Sequence, residues 1–205
     1  MQTQFLSVIL GLLFFALPSS GFADWSGTIL IHSSKEKQEI PPGKVFYQGQ
    51  KFRMEMTAQG RAMTIIVDPE HKTAEMLMPA QKLVLDVPAS MADRTKTFVT
   101  CANLGVDECL KERGYKKTGS DTVDGHPCAV YEIQNVQGAN SDHQKIWRPT
   151  DLKEVPMIKA VITSKQDVVT TQVQNIQVAK LSASLFQVPA DYKKMQLPDF
   201  GAMQH

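Results

Sequence analysis

Apolar and polar residues alternate through the stretch from residue 44 to residue 87, which predicts a meander of short antiparallel strands with one apolar face. Gln59-Gly60 suits a two-residue hairpin turn, because glycine accepts a positive φ without a steric penalty. That turn pairs three apolar residues of one strand with three of the next: Met56 with Met63, Met54 with Ile65, and Phe52 with Val67. A one-residue slip would mix apolar with polar positions, so the pattern defines the face of each strand.

Three further turns extend the same face. Asp68-Pro69-Glu70-His71 has Asp and Pro at the positions that a β-turn favours, and turns are also expected at Gln48-Gly49 and Pro79-Ala80. These turns predict the following neighbours: Met76 beside Met63, Ala74 beside Ile65, Val45 against Phe52, and Leu83 and Leu85 on the last strand of the face. Agreement among four turns supports the meander more strongly than any single residue preference.

The predicted face is rich in methionine, an unbranched and polarisable residue that adapts to irregular space. Two interpretations stay open: a packed core, or a hydrophobic cavity or groove that accepts an acyl chain or a lipidated partner. The candidate ligand-binding residues are Phe52, Met54, Met56, Met63, Ile65, Met76, Met78, Leu83 and Leu85. Thioethers also suit copper(I), but these methionines are spread over three strands without a neighbouring His or Cys pattern, which disfavours a metal site.

The rest of the chain predicts more strands and two short helices. The expected helices begin near Ser90 and at Val106, the second ending at Gly114, and a helical turn is expected over Leu181 to Phe186. Asp124-Gly125 is a strong hairpin signal. Strands are expected at 25–34, 116–123, 127–136, 143–148, 155–163 and 168–178. About ten strands in all predict a mainly β fold, a curved antiparallel sheet.

The first 23 residues are read as a secretory signal peptide. They contain no charged side chain, and an apolar run from Phe5 to Leu17 leads to small residues at Gly21 and Ala23. The run is short for a membrane span, which needs about twenty apolar residues, so cleavage after Ala23 is favoured over an uncleaved anchor. We therefore expect an exported, periplasmic protein with one domain over residues 24–194 and a flexible tail over residues 195–205.

Three cysteines suit an oxidising compartment with one disulfide. Cys101 and Cys109 lie in the least strand-like part of the chain and are expected to pair. Cys128 lies in a predicted strand and is expected to be a small buried apolar residue, although its pairing with either of the others stays open. The seven-residue spacing matches neither a zinc nor a redox motif.

Other chemistry finds little support in the sequence. A net charge of +1 argues against a nucleic-acid partner. The five histidines show no ligand spacing on one element, and there is no Gly-x-Ser-x-Gly nucleophile motif. We therefore expect no enzyme activity, no cofactor and no metal. A lipid or a lipoprotein is the expected partner, and the oligomeric state is left open.

The C-terminal segment carries a recognisable signature: Asn175-Ile176, then Ser184-Leu185-Phe186-Gln187-Val188-Pro189, and Tyr192. It resembles the ending of periplasmic proteins of the LolA/LolB-like lipoprotein-localisation superfamily. Shorter segments resemble one subgroup of that superfamily, a domain of unknown function: residues 51–56, 76–79, 123–128, Asp151-Leu152 and Val155-Pro156. The resemblance implies a half-open barrel around short helices, with an apolar interior that can hold acyl chains. The lipoprotein carriers of this superfamily typically have a helix before the first strand, whereas here a strand is expected from Trp25, almost directly after the predicted cleavage site.

Two functions follow as expectations. The first is an exported binding protein that holds a lipid acyl chain or a lipidated protein in the methionine-rich half-barrel. The second is a structural or interaction protein of the envelope, whose sheet is filled by its own side chains and takes no small ligand.

Overall fold

Twelve strands form one sheet in the computed structural model, which describes residues 24–36, 39–87, 106–137, 140–165 and 167–195. The strands are β1 (Trp25–Ser33), β2 (Gly43–Gln48), β3 (Lys51–Ala58), β4 (Arg61–Asp68), β5 (Thr73–Met78), β6 (Leu83–Asp86), β7 (Lys116–Val123), β8 (His126–Gln137), β9 (Asn140–Pro149), β10 (Lys159–Thr163), β11 (Val168–Val178) and β12 (Lys193–Met195).

The strand order is β12-β6-β5-β4-β3-β2-β1-β11-β10-β9-β8-β7. Every neighbouring pair is antiparallel except β12 and β6, which run parallel. The end strands β12 and β7 do not pair with each other, so the sheet stays open in the described part of the chain. The predicted fold class, a mainly β protein built on one largely antiparallel sheet, is confirmed.

Helices are few and short in the described ranges. α1 (Val106–Glu112) matches the second predicted helix, and it ends where Gly114, at φ +85°, donates its backbone N–H to the Lys111 carbonyl. Two 3₁₀ helices cover Pro79–Gln81 and Ala183–Phe186, the latter within the predicted helical turn. The helix expected near Ser90 and the predicted signal peptide lie outside the described residues.

The register of the β3–β4 hairpin is confirmed at all three predicted pairs. Gln59 and Gly60 both have positive φ, at 52° and 73°, as a tight hairpin turn of this hand requires.

Two other predicted registers are wrong by two residues. Met76 lies opposite Ile65 rather than Met63, and Ala74 lies opposite Val67, because the turn takes four residues, 69–72. Val45 likewise lies opposite Met54 rather than Phe52, since that turn is centred on Gly49-Gln50. A shift of two residues preserves the alternation of faces, so the predicted apolar face survives both errors.

Two elements differ from the expected pattern. The strand predicted over 155–163 begins only at Lys159, and the irregular segment before it buries Val155 and Ile158 completely. β12 was not predicted, since its three exposed residues carry no apolar alternation and it forms only by pairing with β6.

The apolar face predicted from the meander continues across most of the sheet, and we call it the inner face. Residues opposite each other in an antiparallel ladder share a face, so the pairs Val45–Met54, Trp25–Tyr47 and Ile31–Thr171 extend it through β2, β1 and β11. Over β8 to β10 it is covered by α1, whose Leu110 packs with Tyr131, Ile146 and Ala160 among others.

The opposite, outer face of the meander is also buried. Ile66, Leu77 and Val84 form a cluster that packs against Val188 and Tyr192 of the C-terminal segment. Arg53 anchors that segment by donating from Nη1 to the Leu185 carbonyl oxygen over 2.7 Å. The positions that alternate with the predicted apolar face therefore include residues of a second core.

Asp68, the first residue of the predicted turn before β5, is a buried carboxylate that is 7% exposed. Its Oδ2 accepts from Lys51 Nζ at 3.0 Å and lies 2.9 Å from His71 Nδ1, and its Oδ1 accepts the Glu70 backbone N–H. Burial acts to raise the pKa of Asp68, but the bonds from His71 and Lys51 outweigh it and hold the pKa below its usual value. The ionised carboxylate thus fastens the β4–β5 turn to β3.

Cys128 is buried in β8 with a free thiol, which confirms its role as a small core residue. Cys109 is buried in α1 and is not bonded to Cys128. Cys101 lies outside the described residues, so the Cys101–Cys109 disulfide stays a prediction.

We predict that Asp68→Asn lowers the free energy of unfolding by about 1–3 kcal/mol at pH 7, because it weakens charge-assisted bonds to a buried group. The native pKa lies below the unfolded value of about 3.9, so this stabilisation is present above that pH and is lost as pH falls through the native pKa. Urea unfolding at several pH values measures it. Asp191→Asn is the control, since Asp191 pairs with Lys82 in solvent. An equal loss at pH 7 and pH 3 would contradict the assignment.

A second prediction concerns the cysteines. Digestion and mass spectrometry without reduction should give one linked peptide pair containing Cys101 and Cys109, with Cys128 modified by alkylating agents only after unfolding. A peptide linking Cys128 to either partner would show the assignment to be wrong.

Candidate functional site

A cavity of about 160 Å³ lies on the inner face between the first strands and β11. Its wall comes from β1, β2, β3 and β11 and from the segment before β10, through Trp25, Ile29, Ile31, Val45, Tyr47, Phe52, Met54, Pro156, Met157, Thr171 and Val173. None of these lining residues, which all belong to the described part of the chain, is charged. An apolar group is therefore the chemistry that the cavity accepts.

Three aromatic side chains form one side of the wall. The Trp25 and Tyr47 rings stack with centroids 5.4 Å apart and planes 6° from parallel. Phe52 meets Tyr47 edge-on, at 6.0 Å. Burial raises the pKa of Tyr47 well above its ordinary value, opposed only weakly by the charge of Arg113, so the phenol stays neutral at physiological pH.

The Trp25 indole nitrogen is buried and has no hydrogen-bond partner within the described part of the chain. Its position follows from β1, where Trp25, Ile29 and Ile31 alternate onto the inner face. Gly27 lies between them, and a Cβ there would come within 2.7 Å of Val173 Cγ1, so glycine allows β1 to approach β11 closely.

The predicted ligand-binding residues divide into two groups. Phe52 and Met54 line the cavity. The other seven share the inner face but lie outside the cavity wall, and all seven are partly buried. We call them the methionine sector: Met56, Met63, Ile65, Met76, Met78, Leu83 and Leu85. Met54 lies opposite Ile65 and so joins the cavity to this sector.

Most of the cavity wall was missed by the sequence analysis. Trp25, Ile29 and Ile31 could have been found from their alternation at the start of the first predicted strand. The contributions of Met157 and Thr171 could not, since one lies in an irregular segment and the other is a polar residue in a strand more than a hundred residues away.

The size of the cavity limits what it can hold. An engineered apolar cavity of about 150 Å³ binds benzene, whereas drug-sized ligands occupy pockets of about 300–1,000 Å³. The cavity here therefore takes about six carbon atoms, and any larger apolar ligand must extend over the methionine sector.

A second group of residues is able to offer metal ligands. One ligand atom from each of Asp68, Glu70 and His71 lies within 4.8 Å of the others. Lys51 already pairs with the Asp68 carboxylate, and Glu70 and His71 are exposed. These three residues lie close together because they stabilise the β4–β5 turn.

An open, mixed-polarity depression of about 480 Å³ adjoins Asp121 and Cys128 near β7. Burial raises the pKa of the Cys128 thiol, which suppresses the thiolate form that nucleophilic chemistry requires. This depression offers no ligand chemistry comparable to that of the apolar cavity.

Comparison with known structures supports the fold. An uncharacterised conserved protein from Thermus thermophilus is 11% identical and superimposes with a TM-score of 0.56, covering 86% of this chain and 91% of that chain. Two other structures are more loosely similar. The Mycobacterium tuberculosis lipoprotein LppX is 11% identical with a TM-score of 0.45, covering 77% of this chain and 88% of that chain. LprF from Mycobacterium bovis is 12% identical with a TM-score of 0.43, covering 84% of this chain and 91% of that chain. At 11% identity the likeness to the Thermus protein concerns the fold alone.

No curated protein matches the sequence. No helix in the described ranges is long and apolar enough to cross a membrane. A family profile does match, over residues 25–157, which is more than half of the chain and includes β1 to β3 of the cavity wall. The chain therefore belongs to the DUF4412 family, a domain of unknown function.

Proposed function

We propose that this protein is an exported binding module that holds a hydrophobic ligand, a lipid acyl chain or the chain of a lipidated protein, against the inner face of its sheet. The observation that carries the proposal is a cavity that adjoins the partly buried methionine sector and whose described lining residues include three aromatic side chains and no charge. The export part rests on the N-terminal sequence, and the absence of a proposed reaction rests on the lack of a catalytic motif.

Approximate free energies indicate how much the cavity and the methionine sector would each contribute to ligand binding. Burying about six methylenes in the cavity would contribute about 5 kcal/mol, at about 0.8 kcal/mol each. Association costs an estimated 4–15 kcal/mol in lost freedom, so the cavity alone would give weak binding. Useful affinity requires more of the ligand to contact the methionine sector.

Methionine suits that second contact. Its flexible thioether side chain adapts to ligands of differing shape, as on other promiscuous binding surfaces. The sector's side chains keep part of their surface exposed, whereas Ile66, Leu77 and Val84 on the outer face are at most 3% exposed. Partly exposed apolar side chains on one face, beside a fully buried cluster on the other, favour a ligand surface over a second packed core.

The small volume of the cavity favours an alternative, an envelope interaction protein with a filled core and no small ligand. In that case the sector would pack against the chain itself or a protein partner.

Native mass spectrometry of the mature protein, prepared from its own compartment without detergent, separates these functions. We expect an added mass that denaturation releases as a molecule with an alkyl chain. The bare polypeptide mass in every preparation, together with no uptake of added fatty acid, would favour the alternative.

A matched pair of variants tests the methionine sector. Met63 and Ala62 are neighbours on β4 with side chains on opposite faces, and Ala62 is exposed. Met63→Asp should weaken fatty-acid binding at least about tenfold, because a carboxylate in an apolar contact must be desolvated. Ala62→Asp should leave binding unchanged.

Thermal unfolding of both variants provides the control. The proposal requires Met63→Asp to remain folded with a melting temperature close to that of Ala62→Asp. Loss of the folded state in Met63→Asp alone would mean that the sector is packed core.

A further inference from the structure

We propose that the cavity is a chain-end pocket, which receives the methyl end of one unbranched hydrocarbon chain and limits its length. This inference rests on the proposed function and specifies its ligand class as single-chain amphiphiles inserted tail first. The observations that carry it are the volume, the wall chemistry and the distribution of burial around the wall.

The volume restricts occupancy to one chain. About 160 Å³ is close to the size of an apolar cavity that holds one benzene molecule. A second acyl chain or a fused ring system of the sterol kind would need a larger space. The terminal part of a single alkyl chain, about six carbons, fills it.

The chemistry of the wall orients the chain. Among the lining residues that the structure describes, polar side-chain nitrogen and oxygen atoms come only from Trp25, Tyr47 and Thr171, and no side chain carries a charge. The Trp25 indole nitrogen exposes essentially no surface. A charged or strongly hydrated head group would lose its hydration in the cavity without gaining an ionic partner, so the methyl end enters and the head group stays outside.

Burial around the wall gives the pocket a closed end and an open side. Trp25, Ile29, Val45 and Val173 are at most 7% exposed and form its closed end. Ile31, Met54, Pro156 and Thr171 are partly exposed and mark its open side. Because Met54 joins the methionine sector, the remaining length of the chain would leave over that sector.

A closed end of tightly packed side chains sets a limit on chain length. Ile29 lies in that end, opposite Gly43 on β2 and Val173 on β11. Removing side-chain carbons at Ile29 should deepen the pocket, and adding them should make it shallower. Position 29 is therefore expected to determine length specificity.

The test uses straight-chain saturated fatty acids of about eight to twenty carbons, each expected to bind about fourfold more tightly per added methylene until the pocket and sector are filled. We expect the affinity of the wild type to level off at a definite chain length. Ile29→Ala should increase that length by about three carbons, because alanine has about three fewer side-chain carbons than isoleucine. Ile29→Phe should decrease it by about three carbons, because phenylalanine has about three more.

Leu30→Ala is the matched control, because Leu30 is the next residue on β1 and projects from the other face. It should leave the limiting length unchanged. Thermal unfolding checks that each variant is folded, and Val173→Leu provides a second filled variant should Ile29→Phe fail to fold. Val173→Leu should shorten the limiting chain length by about one carbon, because leucine has about one more side-chain carbon than valine.

The possible results distinguish a failure of the chain-end pocket from a failure of the proposed binding function. A wild type that binds none of the fatty acids overturns the proposed function and the pocket together. Binding with a limiting length that Ile29→Ala and the filled variant leave unmoved overturns the chain-end pocket alone. A limit that Leu30→Ala moves as far as Ile29→Ala also contradicts it.

Discussion

Backbone pairing across one wide sheet is the constraint on which the structure depends. A strand side chain must point to one face or the other, so a twelve-stranded sheet presents two surfaces that both need cover. On the outer face of the meander the C-terminal segment provides that cover, through Val188, Tyr192 and the Arg53 bond to the Leu185 carbonyl. Among the described residues, α1 covers the inner face over the β8 to β10 region. The cavity and the methionine sector lie on the part of that face that the described residues leave uncovered.

This division explains why the binding candidate lies where it does. The deeply buried residues Trp25, Val45 and Val173 surround a space that their side chains do not fill. Protein interiors normally pack closely, so an apolar pocket that the described side chains leave open beside a partly exposed methionine-rich surface marks a candidate binding site. A ligand of matching chemistry would remove apolar surface from water in both regions.

The meander was largely predictable because it depends on local information. Hairpin turns join neighbouring strands, and period-two alternation assigns every residue between them to a face. Where the turn residues left a choice, as around Pro69 and Gly49, the predicted register moved by two and the faces stayed correct. Asp124-Gly125 likewise forms the expected tight turn, with φ values of 51° and 81°.

The sequence by itself therefore determined the fold class, the inner face and eight of its half-buried residues, because turn chemistry and alternation act within a few residues. Only the tertiary structure decided where the cavity lies, since Tyr47, Met157 and Thr171 meet there from distant parts of the chain. The same is true of the outer core, because Ile66 pairs with Glu75 and Leu77 pairs with Thr64, so this face looks solvent-facing until the C-terminal segment covers it. Long-range packing carries no signature within one strand, so burial of the second face could not be read from it.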